Sequence, residues 1–274
     1  MVPLLCQSQI GPIERQCLYG LMMLLPVVNV VWIGSELGPI HTACLRSFLR
    51  HGHKLALHCY AVPHDTPAGV EIADARALIP EAEIAHYRDG GYFALISDLL
   101  RYEILGAELG LYADCDMFCI RPIEDAEYIL GLGNNYGPNN AILKLPEDCP
   151  ILASLRAIRK SPTYLPPWHK TKKRGWYRKK RKPQPLERLK WGTIGPSALT
   201  HYTRHFGMMH RASPIDRFYP VHWECTSMLF DPALTLKDII TPRTDALHLY
   251  RNLWKDIEYP EGSPLWEIAN GYCQ

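Results

Sequence analysis

The sequence lacks several short motifs that mark common classes of metal-binding, redox and nucleotide-dependent proteins. It has nine cysteines but no Cys-x-x-Cys pair, which argues against a zinc ribbon or a thioredoxin-like site. It also has no Asn-x-Ser/Thr sequon, no Gly-x-x-x-x-Gly-Lys phosphate loop and no Gly-x-Gly-x-x-Gly fingerprint. Glycosylation in a secretory lumen and ATP hydrolysis through a phosphate loop are therefore unsupported. Reduced thiols in a cytoplasmic protein are the simplest interpretation of the cysteine usage.

The sequence has almost no net charge, but its basic residues are concentrated in one place. Lys and Arg number 30 and Asp and Glu number 28, so the net charge is +2. Between Cys149 and Leu186 there are 12 Lys or Arg and no acidic residue, whereas the remainder carries 18 basic and 28 acidic residues. A nucleic-acid-binding protein would spread its positive charge more widely. We therefore predict that nucleic acid is not a partner.

The centre of this basic stretch is Lys170 to Lys182, which has nine Lys or Arg in 13 residues and includes Trp176 and Tyr177. A solvated loop is one interpretation, and binding to single-stranded nucleic acid is another. The third is peripheral contact with an anionic membrane or a phosphate-rich acceptor, because each basic residue near such a bilayer contributes about 1 kcal/mol. We predict membrane contact through this segment, outside the catalytic pocket.

One apolar stretch, Leu18 to Gly34, has to be distinguished from a membrane anchor. Pro26 and Asn29 interrupt it, and it is shorter than the roughly 20 residues that a spanning helix needs. We therefore predict an apolar segment that runs into a buried strand. The expected location is cytoplasmic, with a peripheral position at the membrane. The overall composition, 47% hydrophobic with 15 Tyr and 7 Trp, is that of a globular protein.

Strand and helix patterns alternate in the N-terminal half, which predicts an α/β fold with a largely parallel sheet. Strands are expected at 27–33, 54–60, 111–113 and 117–120, and helices at 39–51 and 92–108. We divide the chain into an N-terminal apolar or helical extension (1–26), one domain (27–255) with a basic insertion at about 168–185, and a C-terminal tail (256–274).

The most informative pattern is a pair of carboxylates, Asp114 and Asp116, directly after the short apolar strand 111–113. Alternation along an extended chain would point both side chains to the same side. Ligand sites of open α/β sheets lie at the carboxyl ends of strands. Two carboxylates at such a position suit a divalent cation that also binds phosphate oxygens. Two unpaired carboxylates between apolar segments would otherwise be costly.

A second pair, Asp98 and Arg101, lies three residues apart on the predicted helix 92–108 and hence on one face. By itself this spacing is typical of a surface salt bridge worth less than about 1 kcal/mol. However, only the rest of the helix and a tight turn separate Ser97, Asp98 and Arg101 from the carboxylate pair. A helix that packs back onto the strand would direct them into the same pocket.

Together these residues resemble glycosyltransferase family 32, the sugar transferases with an Asp-x-Asp motif. The central block contains Ser97, Asp98, Arg101, Leu105, Gly110, Tyr112, Asp114, Asp116 and Pro122. Flanking pieces are similar in order: Trp32-Ile33-Gly34, Asn139-Asn140-Ala141 with Pro150, Gly195-Pro196 with Leu199-Thr200, and His248 with Trp254. The sequence departs from the family in the basic stretch and at Asn252, where a Gly-Ser pair often precedes the Trp.

The resemblance implies a GT-A type, Rossmann-like fold, a nucleotide-sugar donor (UDP- or GDP-sugar), Mn²⁺ or Mg²⁺, and transfer with retention to a glycan, lipid or other hydroxyl acceptor. The implied metal ligands are Asp114, Asp116 and His248, or Asn252 in its place. Asp98 and Arg101 would hold sugar hydroxyls, Trp32 and Gly34 would line the nucleoside pocket, and Trp254 would cap the pyrophosphate. The wider set of implied donor-binding residues adds Ile33, Ser97, Tyr112, Asn139 and Asn140.

Two other functions remain open from the residues themselves. A phosphate-handling α/β enzyme, such as a nucleotidyltransferase or phosphatase, could use the same carboxylates, and a non-catalytic binding module could display the basic segment. The histidines of the segment 201–210 also suggest zinc, with His201 and His205 one helical turn apart. No Glu stands beside the first of them, as a metalloprotease helix would have. We therefore expect His201, His205 and His210 to be solvated or capping residues.

Overall fold

The computed structural model describes residues 24–169, 182–254 and 257–271. The strands are β1 (Val28–Trp32), β2 (Leu55–Cys59), β3 (Val70–Asp74), β4 (Leu111–Ala113), β5 (Met117–Cys119), β6 (Ile129–Asn134), β7 (Gly137–Lys144), β8 (Thr163–Tyr164), β9 (Gln184–Pro185) and β10 (Ala246–His248). The α-helices are α1 (Pro39–Arg50), α2 (Glu81–Asp89), α3 (Phe93–Gly106), α4 (Pro150–Arg156), α5 (Pro196–His205), α6 (Leu236–Ile239) and α7 (Pro264–Ala269). Short 3₁₀ segments connect many of them, including Trp223–Phe230 and Arg251–Leu253.

Six strands form the central sheet in the order β3-β2-β1-β4-β7-β6. The neighbours β3, β2, β1 and β4 run parallel, whereas β7 is antiparallel to both β4 and β6. The predicted α/β class with a mostly parallel central sheet is therefore confirmed. Strand β1 lies between β2 and β4. The chain adds β2 and β3 on one side of β1 and then β4 on the other side, so the direction in which strands are added reverses there. Open α/β sheets bind ligands beside such a reversal.

The predicted elements of the N-terminal half are present with slightly shorter bounds. The helix expected at 92–108 begins at Phe93 and ends at Gly106, because Glu108 has a positive φ of 53°. The strand expected at 27–33 spans Val28–Trp32, and the helix expected at 39–51 ends at Arg50. Gly110 has a φ of 121°, and a Cβ there would lie 2.4 Å from the Val27 carbonyl oxygen. This glycine lets β4 enter beside β1.

The core lies on both faces of the sheet. Helices α3, α4 and α5 cover one face, where Leu100, Tyr102 and Leu199 are among the fully buried side chains. On the other face α1 packs with Phe48 and Leu45 against the strands. Every residue of β2 is buried, including the polar positions of its alternating sequence. Truncating Leu55 or Leu57 to Ala would cost about 2–5 kcal/mol of folding free energy.

Helix α1 is attached to the second, two-stranded sheet formed by β5 and β10. The Ser47 hydroxyl accepts a hydrogen bond of 2.8 Å from the Cys119 N–H, and α1 begins where the Asp65 carboxylate accepts from the Leu37 and Gly38 N–H groups. Strand β10 is antiparallel to β5, with His248 opposite Met117. This pairing brings the C-terminal part of the chain to the turn between β4 and β5.

Several predictions fall on residues outside the described ranges. Most of the N-terminal extension 1–26, residues 170–181 of the basic insertion and the last three residues of the C-terminal tail are among them. The described part of the apolar stretch runs into the buried strand β1, as expected. Among the described helices, none combines the length and the apolar character needed to cross a membrane.

Candidate active site

The Asp114-Cys115-Asp116 segment forms the turn between β4 and β5. The Met117 N–H donates to the Asp114 carbonyl oxygen at 3.0 Å, and the Asp114 N–H donates to the Ala141 carbonyl oxygen of β7 at 2.7 Å. The chain is therefore turned at these residues, and the expectation of an extended alternation is wrong. The turn still directs both carboxylates into one site, but toward different partners. Cys115 is buried, with its thiol donating to the Val31 carbonyl oxygen.

Asp116 lies against the C-terminal strand β10. Its Oδ1 is 3.3 Å from His248 Nε2, and its Oδ2 accepts from the Arg251 N–H at 2.8 Å. Burial raises the pKa of the Asp116 carboxyl, but the charge of His248 and the hydrogen bonds from His248 and Arg251 outweigh it, so the pKa lies well below its ordinary value. Burial lowers the pKa of His248, but the Asp116 charge, the hydrogen bond to Asp116 and the Asp114 charge together raise it above its ordinary value. The two side chains thus form an ion pair that is only 8–9% exposed.

Asp114 faces helix α3. Its Oδ1 accepts from the Arg101 guanidinium at 2.6 Å and from the Tyr112 hydroxyl at 2.7 Å. The guanidinium carbon of Arg101 lies 4.4 Å from the centre of the Tyr112 ring, within range of a cation–π contact. Arg101 is 3% exposed. The helix therefore packs back onto the strand as expected, and a surface salt bridge is excluded.

Asp98 is the second carboxylate partner of Arg101. Its Oδ1 accepts from the Arg101 guanidinium and, at 2.8 Å, from the Asn140 side-chain amide of β7. Burial raises the pKa of the Asp98 carboxyl, and the neighbouring Arg101 charge offsets only part of that rise. A Cβ at Gly195 would lie 2.7 Å from Asp98 Oδ2, so this glycine lets the backbone before α5 approach the carboxylate.

Asp114, Asp116 and His248 can hold a metal ion. Each offers one ligand atom, and these three atoms lie within 4.8 Å of one another. The second ring nitrogen of His248, Nδ1, is buried without a hydrogen-bond partner. Two carboxylates and one imidazole suit Mn²⁺ and similar divalent ions better than Ca²⁺, which takes oxygen ligands only. The donor set therefore fits the predicted Mn²⁺ or Mg²⁺, with the imidazole favouring Mn²⁺.

A second group of predicted residues lies at the carboxyl end of β1. Trp32 is half-buried, its ring centre is 4.6 Å from that of His41, and its indole Nε1 is buried without a hydrogen-bond partner. A Cβ at Gly34 would lie 3.1 Å from that nitrogen. Ile33 is partly buried against the α3 side of the core. The indole N–H therefore has no partner among the described residues, and the glycine lets the backbone lie close beside it.

Two of the predicted donor-binding residues are covered by their neighbours. Tyr112 is 1% exposed, lies beside the Arg101 guanidinium and donates its hydroxyl to Asp114, so its direct contact with a donor stays a prediction. Trp254 is 2% exposed, packs against Phe230 and donates its indole N–H to the Leu249 carbonyl oxygen at 2.7 Å. The Trp254 ring is therefore covered by its neighbours in this structure, and its role as a cap over the pyrophosphate stays a prediction.

The remaining predicted residues have intermediate positions. Asn140 is buried and acts through Asp98, whereas Asn139 is half-buried and its Oδ1 accepts from the Ala141 N–H. Ser97 is half-buried on α3. Asn252 is exposed on the 3₁₀ turn after Tyr250, and its role as a metal ligand stays a prediction.

Three residues of the site had no assigned role in the sequence. The Arg251 N–H binds Asp116, and no sequence signal exists for a backbone contact. Tyr250 has a φ of 52°, its ring centre is 4.0 Å from that of His248, and its hydroxyl is buried without a partner. Gly195 carried a signal, because the Gly195-Pro196 pair marks the start of α5. In the described residues, His201, His205 and His210 do not join a metal-binding group.

Comparison with known proteins identifies the central segment. The family model described as a glycosyltransferase sugar-binding region containing a DXD motif matches residues 65–142. No curated protein matches the chain. A solved structure titled PaToxG Glycosyltransferase is similar, with a TM-score of 0.43 and 15% sequence identity over 66% of this chain and 70% of that chain.

The matched segment contains Asp98, Arg101, Asp114 and Asp116, which the structure brings together. Residues 65–142 therefore match the DXD-containing sugar-binding region of glycosyltransferases, and the predicted enzyme class, glycosyltransferase, is confirmed. The sheet agrees with the predicted α/β class with a mostly parallel central sheet, and the GT-A type stays a prediction.

Proposed function

We propose that the enzyme is a retaining, metal-dependent glycosyltransferase that moves a sugar from a nucleotide-sugar donor to a hydroxyl acceptor. The observation that carries the proposal is the convergence of Asp114, Asp116 and His248, with one ligand atom from each within 4.8 Å of the others. Retention is carried over from the resemblance to family 32. The leaving group of such a reaction is a nucleoside diphosphate, so the main demand on the site is to neutralise charge that develops on a phosphate.

Asp114, Asp116 and His248 would hold the divalent ion, Mn²⁺ or Mg²⁺. When bound, the ion supplies Lewis-acid stabilisation of the departing diphosphate, worth several kcal/mol. Residues from two distant parts of the chain hold these metal-binding side chains in place. Arg101 and Tyr112 hold Asp114, while the Arg251 N–H holds Asp116. Outer hydrogen bonds of this kind orient metal ligands and tune their basicity.

Asp98 and Arg101 would bind the hydroxyls of the donor sugar. Asp98 Oδ1 accepts hydrogen bonds from Arg101 and Asn140, so Oδ2, which accepts none from the described residues, is the oxygen available to a sugar hydroxyl. A hydrogen bond to a charged group contributes about 1.5–3 kcal/mol when it is buried. The nucleoside would lie beside β1, against Trp32 and Gly34, where the Trp32 indole N–H can donate to it.

Product analysis tests the proposed reaction. The purified enzyme is incubated with Mn²⁺ and a panel of UDP- and GDP-sugars, and released sugar, nucleotide and transferred product are measured separately. Release of nucleoside diphosphate together with a sugar that carries no phosphate supports the proposal. Release of inorganic phosphate or of a sugar phosphate would instead indicate a phosphatase or a nucleotidyltransferase. The anomeric configuration of the product, read by NMR, tests retention.

Metal dependence is tested in the same assay. Chelator should abolish donor cleavage, and Asp116→Ala should lower the rate at least about 10³-fold, because several kcal/mol of charge stabilisation would be lost. Asp125→Ala is a matched control, since this half-buried carboxylate pairs with Lys144 away from the site. Full activity of Asp116→Ala in excess chelator would contradict the metal role.

We also propose that Lys170 to Lys182 makes peripheral contact with an anionic membrane in the cytoplasm, and that the acceptor is a glycan, a lipid or another hydroxyl compound. The local excess of nine basic residues supports the contact, and the cysteines of the described ranges, which are all free thiols, support a reducing compartment. Replacing five of these basic residues by Ser should abolish sedimentation with anionic vesicles and leave donor hydrolysis unchanged. Undiminished sedimentation would make the segment a solvated loop.

A further inference from the structure

A cavity of about 470 Å³ lies at the tip of the β6–β7 hairpin. The N-terminal part of α5 forms a second wall, and Trp168 and Trp223 complete it. Its size is within the roughly 300–1,000 Å³ of small-molecule sites. None of its side chains belongs to the group that would hold the metal.

The wall of this cavity is held by specific hydrogen bonds. Asn134 Oδ1 accepts from the Tyr136 N–H at 2.7 Å and from the Gly137 N–H at 3.2 Å, which fixes the hairpin turn. Arg204 of α5 donates to the Tyr136 carbonyl oxygen, and the Thr200 hydroxyl donates to the Pro138 carbonyl oxygen. The hairpin tip and α5 therefore form one preformed surface.

This surface adjoins the site around Asp98. Asn139 lines the cavity, and the next residue, Asn140, donates to Asp98. Pro196 lines the cavity, and the preceding Gly195 makes the closest backbone approach to Asp98. The same two chain segments thus bound the cavity and the proposed donor-sugar site, so a molecule in the cavity lies next to the bound sugar.

The lining combines flat aromatic rings with polar groups. Tyr136 is 76% exposed and Trp223 is 48% exposed, which leaves ring surface available to a ligand. Ser197, Thr200 and Asn139 supply hydroxyl and amide groups beside these rings. Aromatic rings pack against the C–H faces of pyranose sugars, while hydroxyls and amides bind their O–H groups. The Thr200 hydroxyl and Asn139 Oδ1 already have protein partners, but a purely apolar ligand would leave the Ser197 hydroxyl and the Asn139 amide N–H groups without them.

We infer that this cavity is the acceptor subsite and that it binds a pyranoside, the terminal sugar of a glycan. The inference rests on the proposed transferase function. In the transfer, an acceptor hydroxyl oxygen forms a bond to the anomeric carbon of the donor, and the bond from that carbon to the diphosphate oxygen breaks. The nucleoside diphosphate leaves with the bonding electron pair, and it takes up the hydroxyl proton.

The experiment uses the full chain and methyl glycosides of glucose, galactose, mannose and N-acetylglucosamine. Binding is measured by saturation-transfer NMR and Trp fluorescence without donor. At least one glycoside should bind, and Tyr136→Ala and Trp223→Ala should each weaken it at least tenfold, with Trp223→Phe partly restoring affinity. Trp191→Ala is the matched control, because Trp191 is 75% exposed and outside the cavity wall.

Transfer kinetics provide the second readout. The donor is a nucleotide-sugar that the wild-type enzyme cleaves. The variants Tyr136→Ala and Trp223→Ala should raise the KM for the glycoside at least tenfold and leave donor hydrolysis and the melting temperature unchanged. Absence of glycoside binding, or equal binding by these variants and the wild type, would overturn the inference. Weaker nucleotide binding by Trp223→Ala would overturn it as well, since the cavity would then be the nucleoside site.

The two levels of the proposal fail in different ways. If the wild type cleaves none of the nucleotide-sugars, the transferase function is wrong, whatever the glycosides do. If it cleaves one and the cavity variants behave like the wild type toward glycosides, only the acceptor assignment is wrong.

Discussion

Asp98 is a buried carboxylate whose two oxygens have different surroundings. Oδ1 accepts hydrogen bonds from Arg101 and Asn140, whereas Oδ2 accepts none from the residues that the structure describes. A carboxylate that served only the fold would be expected to use both oxygens, because burial without full hydrogen bonding is costly. This asymmetry separates a ligand-binding role from a purely structural ion pair, and it leads to the first prediction.

Asp98→Asn should impair sugar transfer much more than nucleotide binding. The neutral amide loses charge-assisted bonds to sugar hydroxyls, about 1.5–3 kcal/mol or roughly 10- to 150-fold in rate. Nucleotide affinity by calorimetry and transfer rate are measured separately, with Asp89→Asn as control because Asp89 is an exposed carboxylate paired with Arg88. If rate, nucleotide affinity and melting temperature fall together, Asp98 is a structural partner of Arg101.

Tyr250→Phe should lower activity without lowering stability. The Tyr250 hydroxyl is buried beside His248 without a partner, so its removal costs no protein hydrogen bond and relieves a desolvated group. Its loss should reduce transfer by about 2- to 10-fold if the hydroxyl binds substrate, at the scale of one neutral hydrogen bond. The melting temperature should stay equal or rise.

Tyr60→Phe is the matched control for this change. The Tyr60 hydroxyl donates to the Ile79 carbonyl oxygen at 2.9 Å, so its removal should cost about 1 kcal/mol of stability and leave transfer unchanged. A Tyr250→Phe enzyme with lowered melting temperature and full activity would show that the hydroxyl has a structural role.

At the scale of the elements, the central strands β1 and β2 hold a buried polar pair. His58 of β2 bonds through Nε2 to Asn29 Oδ1 of β1 at 2.9 Å, while the Asn29 amide nitrogen donates to the Leu109 carbonyl oxygen. Asn29 Oδ1 is therefore an acceptor, and His58 carries its proton on Nε2. Burial lowers the pKa of His58 to about 4.

This pKa predicts a loss of stability in mild acid. Below pH 6.5 His58 is protonated in the unfolded chain but stays neutral in the native state until the pH approaches 4. The contribution of neutral His58 to the free energy of unfolding is therefore fully present above pH 6.5 and is lost as the pH drops toward 4. The loss is on the order of 3 kcal/mol. Urea midpoints at pH 7 and 4.5 should differ less in His58→Gln than in the wild type. Exposed His64→Gln should retain the wild-type difference, and an equal difference in both variants would contradict the prediction.

The sequence predicts several elements of the parallel half because each is a contiguous pattern. An apolar run bounded by Gly34 marks β1, alternating apolar and polar residues mark β2, and the residues after β4 mark the carboxylate turn. Strand β3, whose residues are half-buried or exposed, was not predicted. The antiparallel β6–β7 hairpin, which supplies Asn140, was not predicted from its pattern, since Gly and Asn weaken the strand signal. The pairing of β10 with β5 depends on residues far apart in sequence, and only the family resemblance indicated His248.

At the scale of the whole molecule, the candidate site joins the central sheet to the C-terminal part of the chain. Ligand binding to such a site stabilises the folded state, because the unfolded chain does not assemble it. Mn²⁺ together with the correct nucleotide-sugar at 100 times its Kd should add about 2.7 kcal/mol, or roughly 5 °C in Tm. The measurement is a thermal-shift screen of UDP- and GDP-sugars with the metal.

Asp116→Ala and excess chelator are the controls for this screen. Both should reduce the shift toward that of the nucleotide-sugar alone. An equal shift with and without metal, in the wild type and in Asp116→Ala, would place the ligand elsewhere and contradict the assignment of the three metal-binding side chains.

The bond from the Arg251 N–H to Asp116 joins residues 135 positions apart, and β10 reaches β5 over a similar separation. During synthesis, the carboxylate turn leaves the ribosome long before its histidine partner does. The proposed metal-binding group is therefore complete only after most of the chain has been translated. Such long-range closure also slows folding, because a large loop must be ordered before the contact forms. Activity should consequently be the last native property to return on refolding, after the secondary structure of the parallel half.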